Sequence, residues 1–166
     1  MVLHVRAALA AFAVALIMMM SALAPAAADS RAMRLPVQMV KLAADTATGE
    51  KLFSIEVADE SSEQERGLMF REDMPDDRGM LFDLGVTRQA SFWMENTPMP
   101  LDLLFIGEDG RVRAILPGQP FSRAAISPGV PVRFVLELKQ GTSEKNGIAP
   151  GDRLRHPVID AVAGSN

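Results

Sequence analysis

The sequence predicts an α+β domain, mainly antiparallel β, whose sheet is strongly curled or barrel-like and carries one or two short helices. Three observations carry this expectation. Apolar and polar residues alternate with period two in several short runs. Turns bearing glycine or proline separate those runs. A helix-capping pattern stands out near Ser62. Curling or closure is expected because an open sheet of short strands leaves edges to protect.

The domain does not begin at the first residue. Of 166 residues, 1–28 read as a secretory signal: a positive start at Arg6, the apolar run "AALAAFAVALIMMMSALA", and the small-residue exit "APAAADS", with cleavage after Ala28. The expected location is therefore periplasmic or secreted. Residues 29–36 read as a flexible lead, 37–160 as one mainly-β domain and 161–166 as a C-terminal tail. Loss of Arg6 takes the net charge from −4 to −5. That acidity gives no electrostatic reason to expect nucleic acid or anionic lipid as partner. The chain has no cysteine, so it has neither a disulfide framework nor a thiolate metal site. No stable membrane span is expected once the signal is removed.

Each element has its own pattern. "QMVKLAAD" and "KLFSIEVAD" flank the loop "TATGE" as a β-hairpin, with Phe53, Ile55 and Val57 on one face and Ser54 and Glu56 on the other. Ser62 followed by Glu65 reads as a capping box opening a helix of two or three turns, closed near Gly67, with Leu68 and Met69 turned inward. "MPDDRG" is a proline-opened turn. "GMLFDLG" and "RQASFWM" read as two short strands separated by "VT", with Ala90, Phe92 and Met94 sharing a face. "LDLLFIG" and "RVRAILPG" bracket Asp109-Gly110, a hairpin signal. "GQPFSRAAISPGV" is a loop over one mouth of the sheet. In "VRFVLELKQG", Val132, Phe134, Leu136 and Leu138 oppose Arg133, Glu137 and Lys139. "TSEKNGI" is a short helical turn before the last strand, "APGDRLRH".

The segment "SFWMENTPMPLDLLFI" concentrates the candidate site. Trp93, the one tryptophan, ends a strand and can floor a pocket with its indole. Asn96 suits an Asx-turn, and Pro98 extends Thr97; strand and corner chemistry alone accounts for these types. Asp102 interrupts an apolar run, where a charge is costly unless paired, and Arg66 is a candidate partner. Together Arg66, Trp93, Asn96, Thr97 and Asp102 form the candidate ligand-binding set, a polar patch on an aromatic floor. A structural bridge between Arg66 and Asp102 fits the same residues.

Catalytic patterns are weak. There is no Ser–His–Asp order, G-x-S-x-G elbow, P-loop or H-E-x-x-H. His156 stands before Pro157. Asp102 with Glu137 or Glu95 could serve a carboxylate-based hydrolase or lyase. Met69, Met80, Met94 and Met99 could in principle handle Cu(I), yet they lack Met-x-x-Met clustering and suit core filling. No cofactor and no resident metal are expected.

In their order, the phrases "ERGLMFRE", "RGMLFDL", "SFWMENTPMPLDLLFIGEDGRV" and "VLELKQGTSEKNGIAPGD" resemble the domain of unknown function 192 family, across about Lys51 to Leu154. That resemblance implies a compact, mainly-β and often exported domain with no established activity. It places Arg66, Trp93, Asn96, Thr97, Asp102 and Glu137 among the signature positions. The expectation is an exported, non-enzymatic domain that binds a small ligand or an envelope protein.

Overall fold

All six residues of Leu101–Ile106 are buried, and so are seven of the nine in Pro131–Lys139. Strands covered on both faces need two layers of packing, and the computed structural model, which describes residues 31–164, supplies them. The expected signal segment lies outside the described residues. The elements are β1 (Leu42–Thr46), β2 (Gly49–Ala58), α1 (Ser61–Arg66), β3 (Arg78–Gln89), β4 (Leu101–Ile106), β5 (Val112–Gly118), β6 (Pro131–Lys139), α2 (Thr142–Asn146), β7 (Arg153–Arg155) and α3 (Pro157–Ala163). The seven strands form one sheet in the order β5-β4-β6-β3-β2-β1-β7. It is mixed, mainly antiparallel, and curled into a half-barrel.

The curl brings the two ends of the sheet together. Arg111 and Arg153 form a bridge, Val112 donates its amide to Asp152 (2.9 Å) and Leu154 donates to Gly110 (2.8 Å). Antiparallel pairing joins β1 to β2 and β4 to β5 as the two expected hairpins. Strands β2 and β3 are parallel. A parallel pair cannot be closed by a tight turn and needs a crossover. Residues 59–77 make that crossover, carrying α1 across one face of the sheet.

Two apolar clusters result. The inner one draws on all seven strands and includes Leu42, Phe53, Leu81, Leu104, Val112, Leu136 and Leu154, closed by Ile159 of α3. The outer one lies under the crossover and holds Leu68, Met74, Met80, Phe82, Met94, Met99, Leu103 and Phe105. Met80, Met94 and Met99 are thus buried core fillers, as flexible thioethers commonly are.

Several local expectations change. "GMLFDLG" and the residues up to Gln89 belong to one strand, β3, rather than to two. It continues through "VT" by a register shift between Asp83 and Arg88, where the Gly85 amide (φ 75°) donates to Asp83 Oδ1. Val132 joins the outer cluster rather than sharing the face of Phe134 and Leu136, because that same irregularity lies opposite it. The capping box sits two residues earlier, at Glu60 and Glu63, with the Glu63 carboxylate accepting from the Asp59 and Glu60 amides. A third helix, α3, begins at Pro157 and is capped by His156 Nδ1, carrying helical structure to Ala163 and into the expected tail. The expected flexible lead is pinned at its described end: Met33 and Leu35 pack on the outer cluster, and the Leu35 amide donates to Glu56 (2.7 Å).

Candidate functional site

On the outer face, four strands present one row of side chains in register: Leu103, Glu137, Met80 and Glu56. Two acids therefore stand in an otherwise apolar layer. Glu56 is answered by Arg71, which donates from Nη1 (2.8 Å) and Nη2 (2.6 Å) and also holds the Met33 carbonyl through Nε (2.9 Å). Burial alone would raise the Glu56 pKa. The hydrogen bonds from Arg71 and Leu35 and the charges of Arg71 and Arg78 outweigh it and hold the carboxyl below its ordinary value.

Glu137 has no such bond. It is 5 % exposed, and its carboxyl makes no hydrogen bond among the described residues. Burial pushes it up to about 8, against the opposing pull of the Arg71 charge. Its side chain faces a cavity of about 670 Å³ between the crossover and the sheet. The buried lining residues, Gly67, Leu68, Phe82, Leu84, Ala90, Thr97 and Glu137, make the floor. Exposed Ser61, Glu65, Arg66, Arg88 and Trp93 make the mouth. Phe82 and Phe92 meet edge to face, with centroids 5.2 Å apart, and supply an aromatic wall.

Local geometry explains why the cavity persists. Gly67 ends α1 at φ 45°, and a Cβ there would come within 3.2 Å of the Phe82 ring. Gln64 ties α1 to β3 through the Asp83 carbonyl (2.6 Å). Arg66 lies over the Phe70 ring at 5.3 Å, and the Phe70 amide donates to the Asn96 carbonyl (2.7 Å). The long loop 119–130 backs the opposite wall through paired bonds between Phe92 and Ile126.

The sequence-chosen residues divide. Arg66, Trp93 and Thr97 line this cavity together. Trp93 is at its mouth, 52 % exposed, rather than at its floor; a second hollow of about 290 Å³, with Arg123, lies beside it. Asn96 does not line the cavity. It occupies the left-handed corner (φ 56°) and holds Met69 Sδ and Phe70 in place. Asp102 lies elsewhere: Oδ1 accepts from the Gly141 amide (3.2 Å) and Oδ2 from the Ser143 amide (2.9 Å), so it caps α2. The expected bridge from Arg66 to Asp102 gives way to those backbone donors. Asp102 pairs with Leu138 while Glu137 pairs with Leu103, so the two acids leave opposite faces of the sheet and cannot flank one substrate. Glu95 is held by Arg123. The Asp102–Glu137 hydrolase pairing is thereby removed.

Sequence reading missed Arg88 and the depth of Glu137. Alternation alone sets Glu137 outward with Lys139. The available signal was its neighbours, since an acid inside "FVLEL" on a central strand faces a second layer rather than water. Among the described residues no group of three or more His, Cys, Asp or Glu could hold a metal ion, and no helix is long and apolar enough to cross a membrane.

The fold and cavity define a small half-barrel domain with a crossover layer over a ligand-sized hollow. Residues 43–156 match the domain of unknown function 192 family, described as "Uncharacterized ACR", and the chain belongs to that family. No curated protein matches it. A crystal structure of a Sinorhizobium meliloti 1021 protein, named as a candidate transcription regulator, is 42 % identical with TM-score 0.70, covering 74 % of this chain and 97 % of that one. A protein of unknown function from Novosphingobium aromaticivorans DSM 12444 is 35 % identical with TM-score 0.71, covering 81 % and 94 %.

Proposed function

We propose that this is a non-enzymatic binding domain, exported behind its N-terminal segment, that takes a small organic ligand into the cavity between α1 and the sheet. The observation that carries the reading is one hollow joining Arg66, Trp93, Thr97 and the buried Glu137. Its volume, about 670 Å³, falls in the range of small-molecule sites, and its mixture of aromatic wall and few convergent polar groups is what such sites use. The positive start and apolar run within residues 1–28 support the exported setting. A net charge of −4 gives no electrostatic support for nucleic acid as the ligand, since nucleic-acid binding draws on basic surface.

Titration of Trp93 fluorescence with anilinonaphthalene sulfonate, benzoate and indole acetate tests the reading. A saturable change is expected for at least one probe. Arg66→Ala should weaken it about tenfold, the loss of one charge-assisted contact, and Asp102→Ala should leave affinity unchanged. No saturable response to any probe, or equal losses in both variants, overturns the site.

A further inference from the structure

Glu137 stands at the cavity floor without a counter-ion, and the surrounding charges explain why. From the crossover, the Arg71 charge reaches it. All three Arg71 nitrogens, however, are occupied by Glu56 and Met33. From β2, Glu56 adds a second negative charge, partly answered by Arg78 at 3.8 Å. On Glu137's own strand, Lys139 is committed to Asp73 (2.9 Å) and Asp76 (3.4 Å). The facing residues of β3 and β4, Met80 and Leu103, are uncharged, and Thr97 is neutral. Arg66 of α1 and Arg88 of β3 are exposed at the mouth, with Glu65 beside them.

Ionising Glu137 here would leave a buried charge unpaired, which is costly. A neutral carboxyl, by contrast, brings one O–H donor to a cavity whose mouth is cationic. We infer that Glu137 receives the ligand as a protonated acid, donating a hydrogen bond to an uncharged oxygen while Arg66 and Arg88 hold an anionic group of the same molecule. The ligand class is small organic acids that carry a carbonyl or ether oxygen away from the acid group, with a flat or apolar body against Phe82, Phe92 and Trp93. This rests on the cavity being the binding site. It differs from a cation-binding site, which the same glutamate would make if it were charged.

Two probes of equal length separate these cases: para-acetylbenzoate, with a neutral carbonyl, and para-aminomethylbenzoate, with an ammonium. Calorimetric titration of the full protein at about pH 6 and about pH 9 should show wild type preferring the acetyl probe. Its affinity should fall about tenfold at the higher pH, since a group titrating near 8 is then mostly ionised. Glu137→Gln, which keeps a neutral donor, should hold its affinity at both pH values, and Glu137→Ala should weaken it at both. Preference for the aminomethyl probe, or binding by wild type that does not change with pH, overturns the inference. Binding of neither probe while anilinonaphthalene sulfonate still saturates the cavity overturns the ligand class alone. Failure of all three overturns the site reading and the ligand class with it.

Discussion

Two glutamates flank Met80 in one row of the outer face, and the Arg71 fork serves only Glu56. The consequence for stability is opposite at the two positions. Glu56 is held below its ordinary value, so its contribution is present above about 4.5 and is lost as pH falls through its lower folded value. Glu137 is raised from 4.5 to about 8. Below its unfolded value both states hold the proton and its contribution is fully present. Between the two values the unfolded chain ionises while the folded protein keeps the proton, so stability drains away until about pH 8. Glu137→Gln has no proton to lose. Urea midpoints of wild type and this variant should therefore diverge steadily from about pH 5 to about pH 8, the variant gaining, and run parallel above it. A constant difference across that range would mean that Glu137 ionises as freely in the fold as in the unfolded chain. The sequence carries the identity of both acids but not their asymmetry. Arg71 lies outside the alternating runs, and nothing in its spacing tells which carboxylate it answers.

Among the elements, hairpins were legible and breaks were not. The β1–β2 and β4–β5 turns contain Gly49 and Gly110, both with positive φ, and glycine at such a turn is a local requirement. Strand β3 looks broken at "VT" because Gly85 and polar neighbours mimic a loop. The strand nevertheless continues, because β6 pairs with it on both sides of the irregularity. Asp102 shows the limit of reading a charge in an apolar run. Its cost is met by a partner element 39 residues away, the start of α2, whose cap residue Gly141 has no side chain of its own. The first amides of a helix need acceptors, and Asp102 of β4 accepts from the Gly141 and Ser143 amides there. Asp102→Ala should cost about 1–2 kcal/mol, as loss of a cap does, read as a lowered urea midpoint. Probe affinity at the cavity should stay at the wild-type level. A weakened affinity with unchanged stability would place Asp102 at the ligand instead.

For the molecule as a whole, the curled sheet was legible because many short alternating runs leave few other ways to hide strand edges. The second layer was not. Alternation implies one wet face, whereas β4 and most of β6 are covered on both. The crossover forced by the parallel β2–β3 pair supplies part of the cover, and Ala90, Met94 and Met99 of the β3–β4 connection supply the rest with Ile126. The inner and outer clusters are therefore not separate cores: adjacent residues of the same strands, Val135 and Leu136 for instance, belong to one each. Damage to either face should be felt at the other. Leu136→Ala empties a fully buried site of the inner cluster and should cost about 2–5 kcal/mol. Trp93 lies on the outer side, at the cavity mouth. If the strands couple the layers, its fluorescence and the far-ultraviolet circular dichroism of the sheet shift to the same lowered urea midpoint. If the crossover layer opened on its own, the Trp93 transition would keep its wild-type midpoint while the sheet signal moved. The coupled result would also explain how so small a domain keeps a cavity of about 670 Å³ open: its floor is the back of the strands that pack the inner core.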